Sequence, residues 1–483
     1  MKNEFFDIKS INYRLYNDNL KPTNESARHW GWLSVFSIWA NTTQSLAGYT
    51  VAASLFFHYQ LNGWAVMLAM LVAGAVIASL AGLIGKPSLR YGIPYPVIAR
   101  SSMGIYGANL PAMIRCVVAI FWYGTQTYMA STAIALLLKP VIHFSSHFRF
   151  LGLDMDSLVA IVLVSVLQYL LFRKGMDAIR LFVNWAALVV YIVMLILLLV
   201  LAHQAKGNLL AEVGHVFHPQ TGYSRQTIIS FLTIVGTMVV MYSPVITSYG
   251  DFARQMNNRQ QMQKGNWVGL LFNIPFFGLI ALLTTVSSKV VFGKVITNPD
   301  DVVKQFHYPW LMVLTGITFF LATAGINVVA NFVPPVNDLS NLLPRYIDFK
   351  RGAIITGIAG LIISLLWHEV ISQIGLVHFI GMLGALLAPA YGIIVADYFL
   401  VKKRYINLQM LYSGEKNGDY YYCHGWNWRA LTAFVLASAF AIAALSLSSL
   451  QFLSGFSWIV SAVVAAVIYY LISKLRKRGG FKV

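Results

Sequence analysis

The sequence predicts an all-α polytopic membrane protein with about twelve transmembrane helices. Three observations carry this reading. The 483 residues are 58% hydrophobic and only 11% charged, whereas soluble proteins carry about 25% charged residues. Long apolar stretches, such as VAIVLVSVLQYLLF (159–172) and LFVNWAALVVYIVMLILLLVLA (181–202), recur with almost no charge at their centres. Lysine and arginine gather in every second loop. A bilayer core of about 30 Å takes around 20 apolar residues as a helix. In hydrocarbon each backbone donor and acceptor must be bonded within the segment, which selects helices.

In chain order, helices are predicted at roughly 30–57, 63–85, 108–138, 153–172, 178–203, 226–249, 265–290, 309–334, 352–370, 374–400, 428–448 and 454–474. With the N-terminus inside, all but seven of the 35 Lys and Arg fall on the cytoplasmic side. The seven are Lys139, Arg149, Lys206, Arg225, Lys289, Lys294 and Lys304. This bias predicts twelve spans with both termini in the cytoplasm. The net charge of +18 is spread over these loops, which argues against a nucleic-acid patch. The first residues are polar, so the first helix is expected to serve as its own insertion signal. Cys116 and Cys423 both fall on the cytoplasmic side and offer neither a disulfide framework nor a cysteine metal site.

The segments are a cytoplasmic tail (1–29), a transport core of ten helices (30–400), a cytoplasmic loop (401–427), two further helices (428–474) and a cytoplasmic tail (475–483). No soluble stretch is long enough for a second domain.

Polar residues within spans are costly and by default mark function. The first span carries Asn41-Thr42-Thr43-Gln44-Ser45, then Ala47-Gly48. The sixth carries Tyr242-Ser243-Pro244, then Ser248-Tyr249-Gly250, and Pro244 predicts a break or kink there. The eighth carries Asn327 and Asn331, four apart and on one face, then Pro334-Pro335. Interruptions five helices apart suit two inverted repeats, helices 1–5 and 6–10, with substrate between the breaks. The bland alternative is that these residues only knit helices together. In the third span Trp122 and Gln126 point the same way, an indole face with an amide one turn away. That pair suits a flat heterocycle, although tryptophan also crowds membrane boundaries. The 17 Asp and Glu lie in loops or near helix ends, among them Asp251, Asp338, Glu369 and Asp397. A cationic cargo needs a buried anion, so a neutral one is expected. His378, within the tenth span, is a candidate proton carrier or a hydrogen-bonded structural histidine.

Several motifs resemble the nucleobase:cation symporter-1 family, and within it the bacterial allantoin and uracil permease-like members. They are KPSLRYGIPYPVIARSSMGIYGANLP (86–111), WYGTQT (122–127), NVVAN (327–331), NDLSNLLPRYI (337–347) and ADYFLV (396–401), with SIW (37–39) and DFAR (251–254). The resemblance covers roughly residues 20–430. It implies a five-plus-five inverted-repeat fold, related to amino-acid and sodium symporters, with two extra C-terminal helices. It also implies alternating access to a midplane site for a nucleobase, hydantoin or allantoin-like compound, in the plasma (bacterial inner) membrane. Trp122 and Gln126 fall on the family's stacking indole and its amide partner, and Asn331 on its helix-8 substrate asparagine.

The chain departs from the pattern at several positions. Tyr242 stands where a second stacking tryptophan is usual, and Ser45, preceded by Gln44, where Gln or Asn is usual. The family's cation site falls on Asn41, Gln44, Ala322, Gly325 and Ile326. Gly325 and Ile326 replace two hydroxyl residues that complete a sodium site, and neither has a side-chain oxygen.

The resulting expectation is a monomeric secondary transporter, not an enzyme, with no cofactor and no metal. It imports a small neutral planar heterocycle, coupled to H+ or to no ion. Trp122 and Tyr242 would sandwich the ring, while Gln126, Asn331, Asn327, Gln44 and Ser45 would read its edge. A carrier of a nucleoside or a pyrimidine-containing vitamin is the nearest alternative. A channel lacks paired broken helices, and an intramembrane enzyme needs a catalytic cluster at bilayer depth, which is not seen.

Overall fold

The computed structural model describes residues 11–59, 61–138, 148–218, 224–306, 308–369, 371–374, 376–447 and 455–478. The first span is two helices, α1 (Trp32–Thr43) and α2 (Leu46–His58). Next come α3 (Gly63–Tyr91), the short α4 (Tyr95–Met103), α5 (Asn109–Leu138), α6 (Met155–Phe172) and α7 (Met176–Gln204). A surface helix α8 (Asn208–Phe217) leads to α9 (Arg225–Ser248), the one-turn α10 (Gly250–Ala253) and α11 (Arg259–Phe292). After α12 (Pro299–Lys304), the eighth span runs through α13 (Pro309–Ile326), a π-helical turn (Asn327–Phe332) and α14 (Val333–Leu342). The last four spans are α15 (Phe349–Leu366), α16 (Leu376–Ala396), α17 (Trp428–Ser446) and α18 (Ser457–Arg478). The only strands among the described residues are two-residue pieces, Arg149–Phe150 paired with Leu153–Asp154.

Local chemistry sets the helix limits. Side chains of Asn62, Asp154, Ser224 and Asn258 accept hydrogen bonds from the first-turn N–H groups of α3, α6, α9 and α11, donors that would otherwise be orphaned. Gly92 and Gly293 close α3 and α11 in the left-handed region, at φ +70° and +68°, where glycine carries no Cβ penalty.

The outer surface has the character of a lipid-facing one. On α7, Leu181, Trp185, Leu188, Ile192, Leu195 and Leu199 are exposed, while Val183, Ala187, Val190, Met194 and Leu197 are buried. Such an apolar exposed stripe is stable only against hydrocarbon. Nine helices among the described residues are long and apolar enough to cross a membrane. The α1–α2 pair, α5 and α16 complete the twelve spans. At the centre, α1 packs on α7, α11 and α13, α9 on α3 and α16, and α5 on α13 and α14.

One expectation needs correction. The sixth span does not break at Pro244. Helix α9 continues through it to Ser248, and the chain leaves the helix only at Tyr249. A proline removes one donor and bends a helix without ending it. The hydroxyls of Thr247 and Ser248 bond back to the carbonyls of Ser243 and Pro244, one turn before each.

Candidate substrate site

The first span breaks within its polar run. Gln44 (ψ 12°) and Ser45 (ψ 155°) leave the helical region. Ser45 Oγ then accepts the Gly48 N–H at 2.9 Å and caps α2. Glycine is required at 48, because a Cβ there would lie 2.5 Å from Thr43 O. Thr43 Oγ1 donates to Trp39 O at 2.8 Å and accepts the Tyr242 hydroxyl at 2.7 Å. The break is thereby tied to α9.

The eighth span is interrupted as well, by its π turn. Such turns are rare and recur at functional sites. Inside it Asn331 Nδ2 donates to Asn327 Oδ1 at 3.0 Å. Asn327 Nδ2 donates in turn to Gln168 Oε1 on α6 at 2.9 Å, and lies 3.3 Å from both Thr127 Oγ1 and the Tyr123 carbonyl on α5. With its amide nitrogen engaged, Asn331 is left with a buried Oδ1 that has no hydrogen-bond partner. Gln126 Oε1 is buried and unpartnered too. A buried acceptor without a donor costs roughly 1–3 kcal/mol, a cost that a ligand N–H removes.

These groups meet in one cavity, lined by Ser45, Trp122, Gln126, Tyr242 and Asn331, together with Thr42, Ala47, Met241, Pro244, Val245, Ile326 and Ala330. Its volume is about 30 Å³, close to the share of one water molecule. A heterocycle enters only if the surrounding helices part.

Gln44 and Asn327 do not line this cavity. Gln44 Nε2 turns to the Ala187 carbonyl on α7 at 3.0 Å, and Asn327 is held in the amide chain behind Asn331. Of the cation positions, Ile326 faces the substrate cavity and Gly325 faces Asn41. The side chain of His378 lies outside the described residues.

Sequence reading missed a buried charge cluster between the site and the face on which the segment around Leu20 meets Tyr412. Arg115 on α5 donates to Ser248 Oγ at 3.0 Å and to the carbonyl of Ala330, the residue before Asn331. Asp251 and Asp338 lie within electrostatic reach of Arg115, and all three are fully buried. Asp251 accepts the backbone N–H of Tyr95, at the start of α4, at 3.0 Å. Burial pushes the Asp251 carboxyl up to about 6, against the pull of Arg254. In the sequence these carboxylates stand at helix ends. They are buried by the packing of α4, α5 and α10 around them. On the same side a cavity of about 620 Å³ is lined by the N-terminal segment, at Asn19 and Lys21, and by Arg254, Val333 and Asn337, with the Arg254 guanidinium donating to the Asn19 carbonyl at 2.7 Å.

Twelve spans, a broken first helix, an interrupted eighth and a central cavity with two unpaired amide oxygens define a membrane transporter rather than an enzyme. The family described as a permease for cytosine/purines, uracil, thiamine and allantoin matches residues 22–472. An allantoin permease of Bacillus subtilis is 31% identical over 468 residues, 96% of this chain and 94% of that protein. A purine-uracil permease of Arabidopsis thaliana is 31% identical over 436 residues, 89% of this chain and 71% of that protein. Among solved structures, Mhp1, a nucleobase-cation-symport-1 family transporter in a closed conformation with bromovinylhydantoin bound, superposes with a TM-score of 0.78 at 22% identity over 96% of each chain. A sodium-coupled sialic acid symporter shares the fold at a TM-score of 0.64 and 12% identity. The chain belongs to the nucleobase:cation symporter-1 family of permeases.

Proposed function

We propose that this transporter imports a small, neutral, planar heterocycle bearing ring N–H donors, such as a nucleobase, a hydantoin or an allantoin-like ureide. One observation carries the proposal: a tryptophan face, Trp122, shares a cavity with two buried acceptors lacking donors, Gln126 Oε1 and Asn331 Oδ1. Trp122 and Tyr242 supply stacking faces, and Ser45 adds a hydroxyl at the helix break. Stacking is worth about 0.5–1.5 kcal/mol beyond burial, and each satisfied acceptor removes its desolvation cost. Among the described residues no carboxylate lines the cavity, which supports a neutral cargo. The names of the relatives, allantoin, purine-uracil and hydantoin permeases, support the same class. The protein works as a monomer in the plasma (bacterial inner) membrane, with its basic face and both termini in the cytoplasm.

The test is uptake of labelled uracil, hydantoin and allantoin into cells or proteoliposomes, with the unlabelled compounds as competitors. Saturable uptake and counterflow for at least one of them is expected. Uptake that never saturates would replace the transporter by a channel, and no uptake of any would remove the substrate class. Transport is driven by protons or by the substrate gradient alone, with His378 as candidate carrier. Choline in place of sodium is therefore expected to leave uptake unchanged. Strong, saturable sodium stimulation would contradict this.

A further inference from the structure

We propose that Lys86, Arg90, Arg259, Lys403 and Arg404 form a binding site for the phosphate headgroup of an anionic phospholipid, at the membrane face where α3 ends. The inference goes beyond the transport reading and does not depend on the substrate.

The five cations come from three separated parts of the chain. Lys86 and Arg90 lie on the last turns of α3, and Arg259 is the first residue of α11. Lys403 and Arg404 follow the π-helical turn (Asp397–Val401) that ends the span of α16. One ring gathers two of them: Lys86 Nζ is 5.9 Å and Arg404 Cζ 5.7 Å from the centre of Phe399. Arg90 Nη1 donates to the Arg404 carbonyl at 2.9 Å, and Arg259 and Arg404 both lie within electrostatic reach of Lys86. The neighbouring Lys402 is different, since its Nζ donates to the buried Asp397 carboxylate at 2.6 Å. Among the described residues none of the other five has a carboxylate partner.

Like charges held this close repel. Arg259 also stands at the positive end of the α11 dipole, where an anion is favoured and a cation is not. The turn keeps the charges in place nonetheless. Lys403 and Arg404 have φ of +49° and +68°, a region that residues with a Cβ rarely adopt. The Arg404 N–H braces it by donating to the Tyr398 carbonyl at 2.7 Å. A bound phosphate relieves the repulsion and takes charge-assisted bonds from the guanidinium groups.

Depth and neighbours select a lipid as the source of that phosphate. Helix α3 has 29 residues, and about 20 cross the hydrocarbon, so its last turns reach the headgroup layer. Leu400 and Tyr405, on either side of the basic turn, are 55% and 60% exposed. A phospholipid covers both kinds of surface, its headgroup on the cations and its acyl chain on the apolar side. A soluble anion leaves the apolar side chains bare.

Thermal unfolding of the purified full-length protein is measured in nanodiscs of phosphatidylcholine with and without phosphatidylglycerol. Phosphatidylglycerol is expected to raise the wild-type midpoint by several degrees through mass action. Lys86→Gln/Arg259→Gln/Arg404→Gln is expected to lose most of that rise, and Arg259→Gln and Arg404→Gln, at exposed positions, part of it each. Lys174→Gln/Lys350→Gln/Lys416→Gln removes the same charge from other exposed positions and is expected to keep the rise. No rise in the wild type, a full rise in the first triple variant, or an equal loss in both triples, which is diffuse attraction, would overturn the site. If the first triple variant does not fold, a full rise in both single variants overturns it. A matching rise from inorganic phosphate in phosphatidylcholine nanodiscs would assign the cations to a soluble anion and overturn the lipid. Failure of the substrate assignment would appear in the uptake panel and leave these midpoints untouched.

Discussion

Tyr242 on α9 donates its hydroxyl to Thr43 Oγ1 on α1 at 2.7 Å, and Thr43 hands the bond on to the Trp39 carbonyl at 2.8 Å. The two helices that flank the cavity are thus joined at its wall, and the Tyr242 ring is held in one orientation. Tyr242→Phe removes that bond and leaves the ring. A net hydrogen bond is worth about 1 kcal/mol, so roughly a fivefold loss of affinity is expected. Tyr242→Trp enlarges the stacking face and is expected to reorder substrate preference. An unchanged substrate profile in both variants would mean that Tyr242 does not face the cargo. Competition uptake measures this.

Asn327 sits behind Asn331 and outside the lining of the cavity. Its Oδ1 takes the Asn331 N–H, and its own N–H goes to Gln168 at 2.9 Å. Asn327→Leu frees the Asn331 amide to rotate. Substrate affinity is expected to fall by about 1–2 kcal/mol, roughly tenfold. Gln168→Leu is expected to act in the same direction and more weakly, since it is one step further back. An Asn327→Leu protein with wild-type affinity would show that Asn331 is oriented by something else.

The helix break at Gln44–Ser45 and the Trp122–Gln126 pair were legible in the sequence because both are local. Five adjacent polar residues cannot face lipid, and a spacing of four fixes a shared face. The depth of the carboxylates was not legible. Asp251 and Asp338 stand at helix ends in the sequence, and the contacts that bury them come from α4, α5 and α10. Likewise a proline signals a break or a kink without deciding between them, and at Pro244 the helix is not broken but runs on to Ser248. The direction of an amide was also out of reach. Gln44 and Asn41 read as polar groups near a substrate or cation, and only the position of α7 turns their nitrogens to its carbonyls.

Arg115 is a buried cation within electrostatic reach of Asp338 and Asp251. Removing one partner of a buried charge group costs about 3–5 kcal/mol. Arg115→Met is expected to lower the yield of folded protein sharply, as read by size-exclusion of a fluorescent fusion. Arg115→Met combined with Asp338→Leu removes charge on both sides and is expected to recover part of that yield. Full yield from Arg115→Met alone would mean that the carboxylates are not held by this arginine.

Topology is open to direct labelling. Cys423 is exposed and Cys116 buried, so a Cys423→Ser background is clean toward an impermeant thiol reagent. In that background Asn298→Cys is expected to react from outside intact cells, and Asn417→Cys only after permeabilisation. The reverse pattern would invert the assignment of the basic face.

The most direct measurement is equilibrium binding of the preferred heterocycle to purified wild type, Trp122→Ala, Gln126→Ala and Asn331→Ala, each checked for a wild-type unfolding midpoint. Losing a stacking face or one hydrogen-bond partner costs on the order of 1–3 kcal/mol. The expected result is a tenfold to hundredfold weaker Kd in each variant. Near-wild-type affinity in all three would place the substrate elsewhere and contradict the site.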